Sequence, residues 1–270
     1  MNTKNIQVFL FVASFSLFAG SLMAATLDTD NASASAYSSG WDTSFGNWAL
    51  DGTTSTGGGF GGWGLSVNPN AALSVASVAS LGGSSLLDTG GKSFRLSGGW
   101  YDTGGGVWSG AYSGATRFLD PAGLDVGQSF SFQMAVNYRN GAKGVNLYDT
   151  TGAQILNFNV GGDDYKMNTV SIGASYSNDT VFSFLLAQTS AGGGTWSITR
   201  SGGVTDLDTG TYTGILRSAN WYAGGTDNNS SDALFVNSLS IVPEPSALSL
   251  LIGGGALLLA LRNRKRTALI

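Results

Sequence analysis

Ser129-Phe-Ser-Phe-Gln-Met-Ala-Val-Asn137 alternates apolar and polar side chains almost without a break. Phe130, Phe132, Met134 and Val136 fall on one side of the chain, and the serines, Gln133 and Asn137 on the other. A period of two marks a strand with one buried face, because successive side chains of a strand point to opposite faces. Two more runs share the rhythm. Leu156, Phe158 and Val160 alternate with Asn157 and Asn159, and Phe182, Phe184 and Leu186 do the same further on. In the last run, Ala233–Val242, the pattern predicts Phe235, Leu239 and Ile241 on one face and Leu234, Val236, Ser238 and Ser240 on the other.

Outward from these runs, short aromatic-rich segments recur between Gly, Asn and Asp. They predict strands at Phe45–Leu50, Gly61–Val67, Ser93–Leu96, Ala115–Leu119, Ser129–Asn137, Gly144–Tyr148, Gln154–Val160, Thr169–Ala174, Thr180–Ala187, Thr195–Arg200, Thr211–Leu216 and Ala233–Val242. Asn140-Gly141 suits the positive φ of a type I′ hairpin turn, and Asp149-Thr-Thr-Gly152 and Gly161-Gly-Asp-Asp164 mark further turns. Ala71–Leu81 is spaced loosely like a helix. Thr26–Gly40 is small and polar, a flexible or edge segment. About a dozen short strands predict an all-β, antiparallel two-sheet sandwich, a jelly roll. The stretch from Leu124-Asp-Val-Gly-Gln-Ser-Phe-Ser-Phe through Gly-Val-Asn-Leu-Tyr-Asp and Asn-Phe-Asn-Val-Gly-Gly-Asp-Asp resembles concanavalin/laminin-G-type jelly rolls in its strand rhythm and turn placement.

Both ends of the chain have another character. Residues 1–25 carry one charge, Lys4, then an apolar core Val8–Phe18 and small residues to Ala24-Ala25. That is the layout of a secretory signal peptide. The other end reads Val-Pro243-Glu244-Pro245, an apolar run Ala247–Leu261, then Arg262, Arg264, Lys265 and Arg266. Fifteen residues make a helix of about 22 Å, short for a bilayer. The basic cluster would hold its end on the cytoplasmic side. The tripartite tail, residues 243–270, resembles the PEP-CTERM sorting signal. It departs from the family in the four residues Thr267–Ile270 after the basic cluster. The resemblance implies export by the secretion machinery and a pause at the membrane through a short transmembrane helix. It further implies processing near the PEP motif by an exosortase-type membrane peptidase and delivery to the cell surface or exopolysaccharide matrix. Residues 26–242 then form one β-sandwich domain.

The two tails hold five of the 13 cations and one of the 17 acids, leaving eight cations, sixteen aspartates and a net charge of −8. Phosphate contacts need Lys and Arg, so nucleic acid is a poor partner. The chain has no His and no Cys, which excludes Ser-His-Asp and Cys-His catalysis and His-ligated zinc, iron and copper. Glu244 is the only glutamate, so a Glu-Glu glycosidase pair is excluded for the domain, while an Asp pair is not. The oxygen-rich loops Asp206-Leu-Asp208 and Asp227-Asn-Asn229-Ser-Ser-Asp232 could take calcium or be solvated acidic turns, and Asp163-Asp164 is a third such place. Trp100, Tyr101, Trp108, Trp221 and Tyr222 lie beside Gly-rich loops. They suit stacking on sugars, or they plug the ends of the sandwich. Trp41, Trp48, Trp63 and Trp196 read as core. The reading is an exported, non-enzymatic, glycan-associated surface protein. The alternatives are a secreted carbohydrate-active enzyme using two aspartates and a structural protein anchored by an uncleaved tail.

Overall fold

The computed structural model describes residues 28–41, 59–119, 122–161, 164–173, 177, 180–202, 206–226 and 232–243. The expected signal peptide, the strand at 45–50, Trp48, and the sorting tail beyond Pro243 lie outside them, as do Asp163, Asp227 and Asn229. Of Tyr101, Gly161 and Asp206 only the backbone is described.

The described residues are all-β and form two large antiparallel sheets. The strands are β1 (Asp28–Asp30), β2 (Phe60–Val67), β3 (Ala71–Ala76), β4 (Ser93–Gly98), β5 (Trp100–Asp102), β6 (Trp108–Gly110), β7 (Tyr112–Leu119), β8 (Gln128–Val136) and β9 (Ala142–Asp149). They continue with β10 (Gln154–Gly161), β11 (Asp164–Met167), β12 (Val170–Ser171), β13 (Val181–Ser190), β14 (Gly193–Ser201), β15 (Asp206–Thr213), β16 (Leu216–Gly224) and β17 (Leu234–Pro243). One sheet runs β15-β14-β13-β8-β17-β4-β3, with β1 also on β17; the other runs β12-β11-β10-β9-β16-β7-β2. A small hairpin, β5-β6, stands apart from both.

The alternation read from Phe130–Val136 builds the core. Phe130, Phe132, Met134 and Val136 are buried with Phe182, Phe184 and Leu186 of the neighbouring strand and Leu156, Phe158 and Val160 of the opposite sheet. Phe132 stacks on Phe184 at 4.5 Å between ring centroids, and Trp221 meets Phe132 edge-on at 5.1 Å. Each such side chain contributes about 1.5–3 kcal/mol by leaving water.

Four expectations need correcting. Asn140-Gly141 does not close a hairpin: β8 and β9 lie in different sheets, and residues 137–141 cross between them. Gly141 does have φ 65°, and a Cβ there would lie 2.5 Å from the Gly224 carbonyl oxygen. Ala71–Ala76 is a strand, followed by a 3-10 turn at Ala79–Leu81, because β4 offers it a partner edge. The run Thr211–Leu216 is cut by a turn at Gly214, φ 95°, which separates β15 from β16. In the run Thr169–Ala174 the described residues, 169–173, hold the two-residue β12 and no longer strand.

The last strand also departs from its expected faces. A β-bulge lies between Asn237 and Ser240, with Ser238 at φ 55°. The extra residue shifts the parity, so Leu234 and Val236 join Leu239 and Ile241 in the main core. Phe235 faces outward into a second cluster with Val78, Leu87, Ala135, Val181 and Ala233. On one edge of β17, β4 pairs with Leu234–Val236 and β1 with Leu239–Ile241. Asn237, fully buried, fills the gap between them. Its Nδ2 donates to the carbonyls of Leu87 (3.0 Å) and Lys92 (2.7 Å), and its Oδ1 accepts from Ala32 N–H (3.1 Å). Asn237→Ala orphans these buried groups, so a loss of about 1–3 kcal/mol is expected in urea denaturation. A change below 0.5 kcal/mol would mean that water replaces the amide.

Candidate functional site

The outer face of the seven-stranded sheet gathers polar and aromatic side chains in register. Asn157 of β10 is opposite Asn146 of β9, Asn146 opposite Asn220 of β16, Asn220 opposite Thr116 of β7, and Thr116 opposite Gly64 of β2. This row crosses five strands, and its four polar side chains span three strand spacings, about 14 Å. The flanking row on one side holds Asn159, Gly144, Tyr222, Gly114 and Ser66. The one on the other side holds Tyr148, Ser218 and Phe118. The inward residues of the same strands are core: Val145, Leu147, Ala115, Ala219 and Trp221 are all buried.

Hydrogen bonds fix the row. Asn157 Nδ2 donates to Asn146 Oδ1 (2.6 Å) and to the Tyr222 hydroxyl (3.2 Å), and Asn159 Nδ2 donates to the same hydroxyl (2.7 Å). Asn220 Nδ2 donates to Thr116 Oγ1 (2.7 Å). Glycine makes room for the rings. A Cβ on Gly144 would lie 2.8 Å from the Tyr222 hydroxyl oxygen, and one on Gly64 would lie 3.2 Å from the Phe118 ring. Tyr112 is exposed at the end of the face, and Phe118 and Tyr148 are partly buried. Burial pushes the Tyr112 phenol up, with Tyr148 and Tyr222 nearby adding to the shift.

The aromatic residues singled out in the sequence divide. Trp100 and Trp108 lie on the β5-β6 hairpin, where Trp108 is opposite Asp102 and Trp100 opposite Gly110. Both are exposed, Trp108 at 62%. Trp100 lies near Gly225, just past the end of β16, beside Gly224, which pairs with Tyr112. The hairpin therefore stands at the Tyr112 end of the face. Trp221 is no surface ring: its side chain points inward and is fully buried against Trp63 and Phe132. Tyr222 is on the outer face but 8% exposed, with its hydroxyl held by two asparagines. Trp41 and Trp63 are buried, and Trp196 is partly buried over Gly210.

The acidic loops come out differently. Asp208 pairs with the buried Arg200 at 3.2 Å. Asp232 is buried and accepts from Asn140 Nδ2 at 3.0 Å. Among the described residues no three acidic side chains converge in a way that would hold a metal. Two aspartates that the sequence left in a flexible or edge segment are instead buried. Asp28 accepts from Phe60 N–H at 2.8 Å, and Asp30 pairs with Arg117 at 3.2 Å. Tyr37 donates to both Asp30 oxygens (2.9 Å), and Trp63 Nε1 donates to Asp30 and to the Tyr37 hydroxyl. Burial drives the Asp30 carboxyl up despite Arg117, and it raises the Tyr37 phenol as well.

Sequence reasoning passed over Thr116, Asn146, Asn157, Asn159 and Asn220 as site residues. Asn157 and Asn159 were legible as the polar side of an alternating strand. Their alignment with Asn146 and Asn220 depends on strand order, which no local pattern carries.

No protein-family model matches the chain, and no curated protein matches it. In structure the chain is similar to a sialidase (TM-score 0.41, 9% identity, 67% of this chain and 16% of that one). It is similar as well to the ligand binding domain of botulinum neurotoxin serotype D, in complex with N-acetylneuraminic acid (0.34, 12%, 71% and 44%). A third likeness is to a carbohydrate esterase from the Shiga toxin-encoding bacteriophage phi24B (0.37, 13%, 68% and 91%). The chain spans less than half the length of the sialidase and of the toxin domain.

Proposed function

We propose that this protein is an exported, non-enzymatic, glycan-associated component of the cell surface or extracellular matrix. In this reading it is a jelly-roll sandwich sent out by the signal peptide and sorted through Pro243-Glu244-Pro245 and Arg262, Arg264, Lys265 and Arg266 by an exosortase-type membrane peptidase. The observation that carries the glycan part is the row Asn157, Asn146, Asn220 and Thr116 with Tyr112, Tyr148 and Phe118 around it. Amides and hydroxyls bond sugar hydroxyls, while ring faces cover apolar C–H surfaces. Trp100 and Trp108 on the adjoining hairpin add exposed rings to the same end.

Two measurements test it. Intact-mass analysis of the protein from its own cells should show loss of both the N-terminal segment and the residues after the PEP motif; an unprocessed chain would overturn the sorting part. Glycan-array binding should fall at least about tenfold, some 1.4 kcal/mol, in Asn146→Ala and in the double variant Trp100→Ala/Trp108→Ala. Binding unchanged in both would remove the face and the hairpin from the site.

A further inference from the structure

The polar row has an order that narrows the ligand, given the glycan reading above. Asn157 uses its Nδ2 and keeps Oδ1, whereas Asn146 uses its Oδ1 and keeps Nδ2. Asn220 uses Nδ2 and keeps Oδ1, and Thr116 accepts at Oγ1 and keeps its hydroxyl proton. None of these remaining groups is a buried atom without a partner. Read across β10, β9, β16 and β7, the free groups are acceptor, donor, acceptor, donor. One such group per strand, about 4.8 Å apart, is comparable to the advance per residue of an extended hexopyranose chain.

We infer that the face binds a neutral, unbranched, extended polysaccharide whose axis crosses the strands at right angles. Sugar hydroxyls donate and accept, so they meet all four groups. A carboxylate or sulfate only accepts, and Asn157 Oδ1 and Asn220 Oδ1 would face it lone pair to lone pair. None of the cations of these strands stands in the row: Arg117 and Lys143 are buried with partners on the inner side, Arg217 is half-buried at the register shift of β16, three residues from Asn220, and Lys166 stands one strand beyond the row, opposite Asn159. The acidic domain repels a polyanion further. A branched chain would collide with the rings of Tyr112, Tyr148 and Phe118 beside the row.

Affinity electrophoresis of the full chain in gels containing mixed-linkage β-glucan, hydroxyethyl cellulose, alginate, hyaluronan or branched dextran tests this. Retardation by at least one of the two neutral linear polymers, and not by the polyanions or dextran, is expected. Asn157→Ala on β10 and Thr116→Val on β7, at the two ends of the row, should each weaken that retardation about tenfold, with thermal midpoints holding the fold as control. Retardation by alginate or dextran alone would overturn the ligand class and leave the glycan reading standing. No retardation in any gel would overturn both. Loss in only one of the two variants would overturn the crossing orientation.

Discussion

Asp30→Ala lowers the stability of the domain by about 3–5 kcal/mol, read as a shift of the urea midpoint at constant m-value. The carboxylate it removes lies between two sheets. Asp30 enters on β1 at the edge of β17, and Arg117 reaches it from β7 of the opposite sheet, with both side chains fully buried. The guanidinium also lies over the rings of Phe60 (4.8 Å) and Trp63 (5.2 Å). Without Asp30 the buried Arg117 charge loses a carboxylate 3.2 Å away, and the Tyr37 hydroxyl and Trp63 indole lose an acceptor. Apolar replacement of both members, Asp30→Leu with Arg117→Met, should recover most of the loss, because burying an ion pair gains little over a hydrophobic pair. If the double variant is as unstable as the sum of the singles, the two groups are not coupled.

The same carboxyl gives a pH dependence. Its folded-state value is raised above 3.8 because burial outweighs Arg117. In the window above the unfolded value the native state therefore binds more protons than the unfolded one. The stability from Asp30 is full below about pH 4 and falls as pH rises through the folded value. Asp30→Asn should flatten that part of the stability profile, and a slope equal to wild type would assign it to another group.

Trp221→Ala is expected to cost about 3–5 kcal/mol, the usual range for emptying a large aromatic site in a core. Trp221 is packed between the sheets against Trp63 at 5.8 Å and Phe132 at 5.1 Å, with no exposed surface. Its Nε1 has no hydrogen-bond partner, so Trp221→Phe loses volume but no bond and should cost less. Trp108→Ala, at an exposed position, should stay within about 0.5 kcal/mol of wild type. Thermal and urea melts of the three variants check the order. Equal effects at 108 and 221 would contradict the burial difference.

The sheets were largely readable from the chain. Phe130–Val136 and Phe182–Leu186 declare strands because each inward position is large and apolar. β16 escaped because its inward residues Ala219 and Ala223 are too small to mark a face, and Trp221 beside Tyr222 blurs the alternation. The β17 bulge escaped because one inserted residue reverses parity without changing composition. The outer-face row escaped for a longer-range reason: its members come from residues 116 to 220 and meet only once β9 and β16 are neighbours. Asp30 was hidden by its polar surroundings in sequence, since its partner Arg117 is far along the chain.

The antiparallel register of β1 on β17 sets Asp28 opposite Ile241. The start of β1 and the end of β17 thus lie side by side at one pole. Gly98, where β4 runs out toward the tryptophan hairpin, is near the other pole, beyond Leu96 and its partner Leu234 at the start of β17. A tether on the C-terminal side would hold the body upright with Trp100 and Trp108 at its far tip. Tension along that tether would act lengthwise on a strand flanked by β8 on one side and by β4 and β1 on the other, loading many ladder bonds in shear at once rather than peeling them one by one.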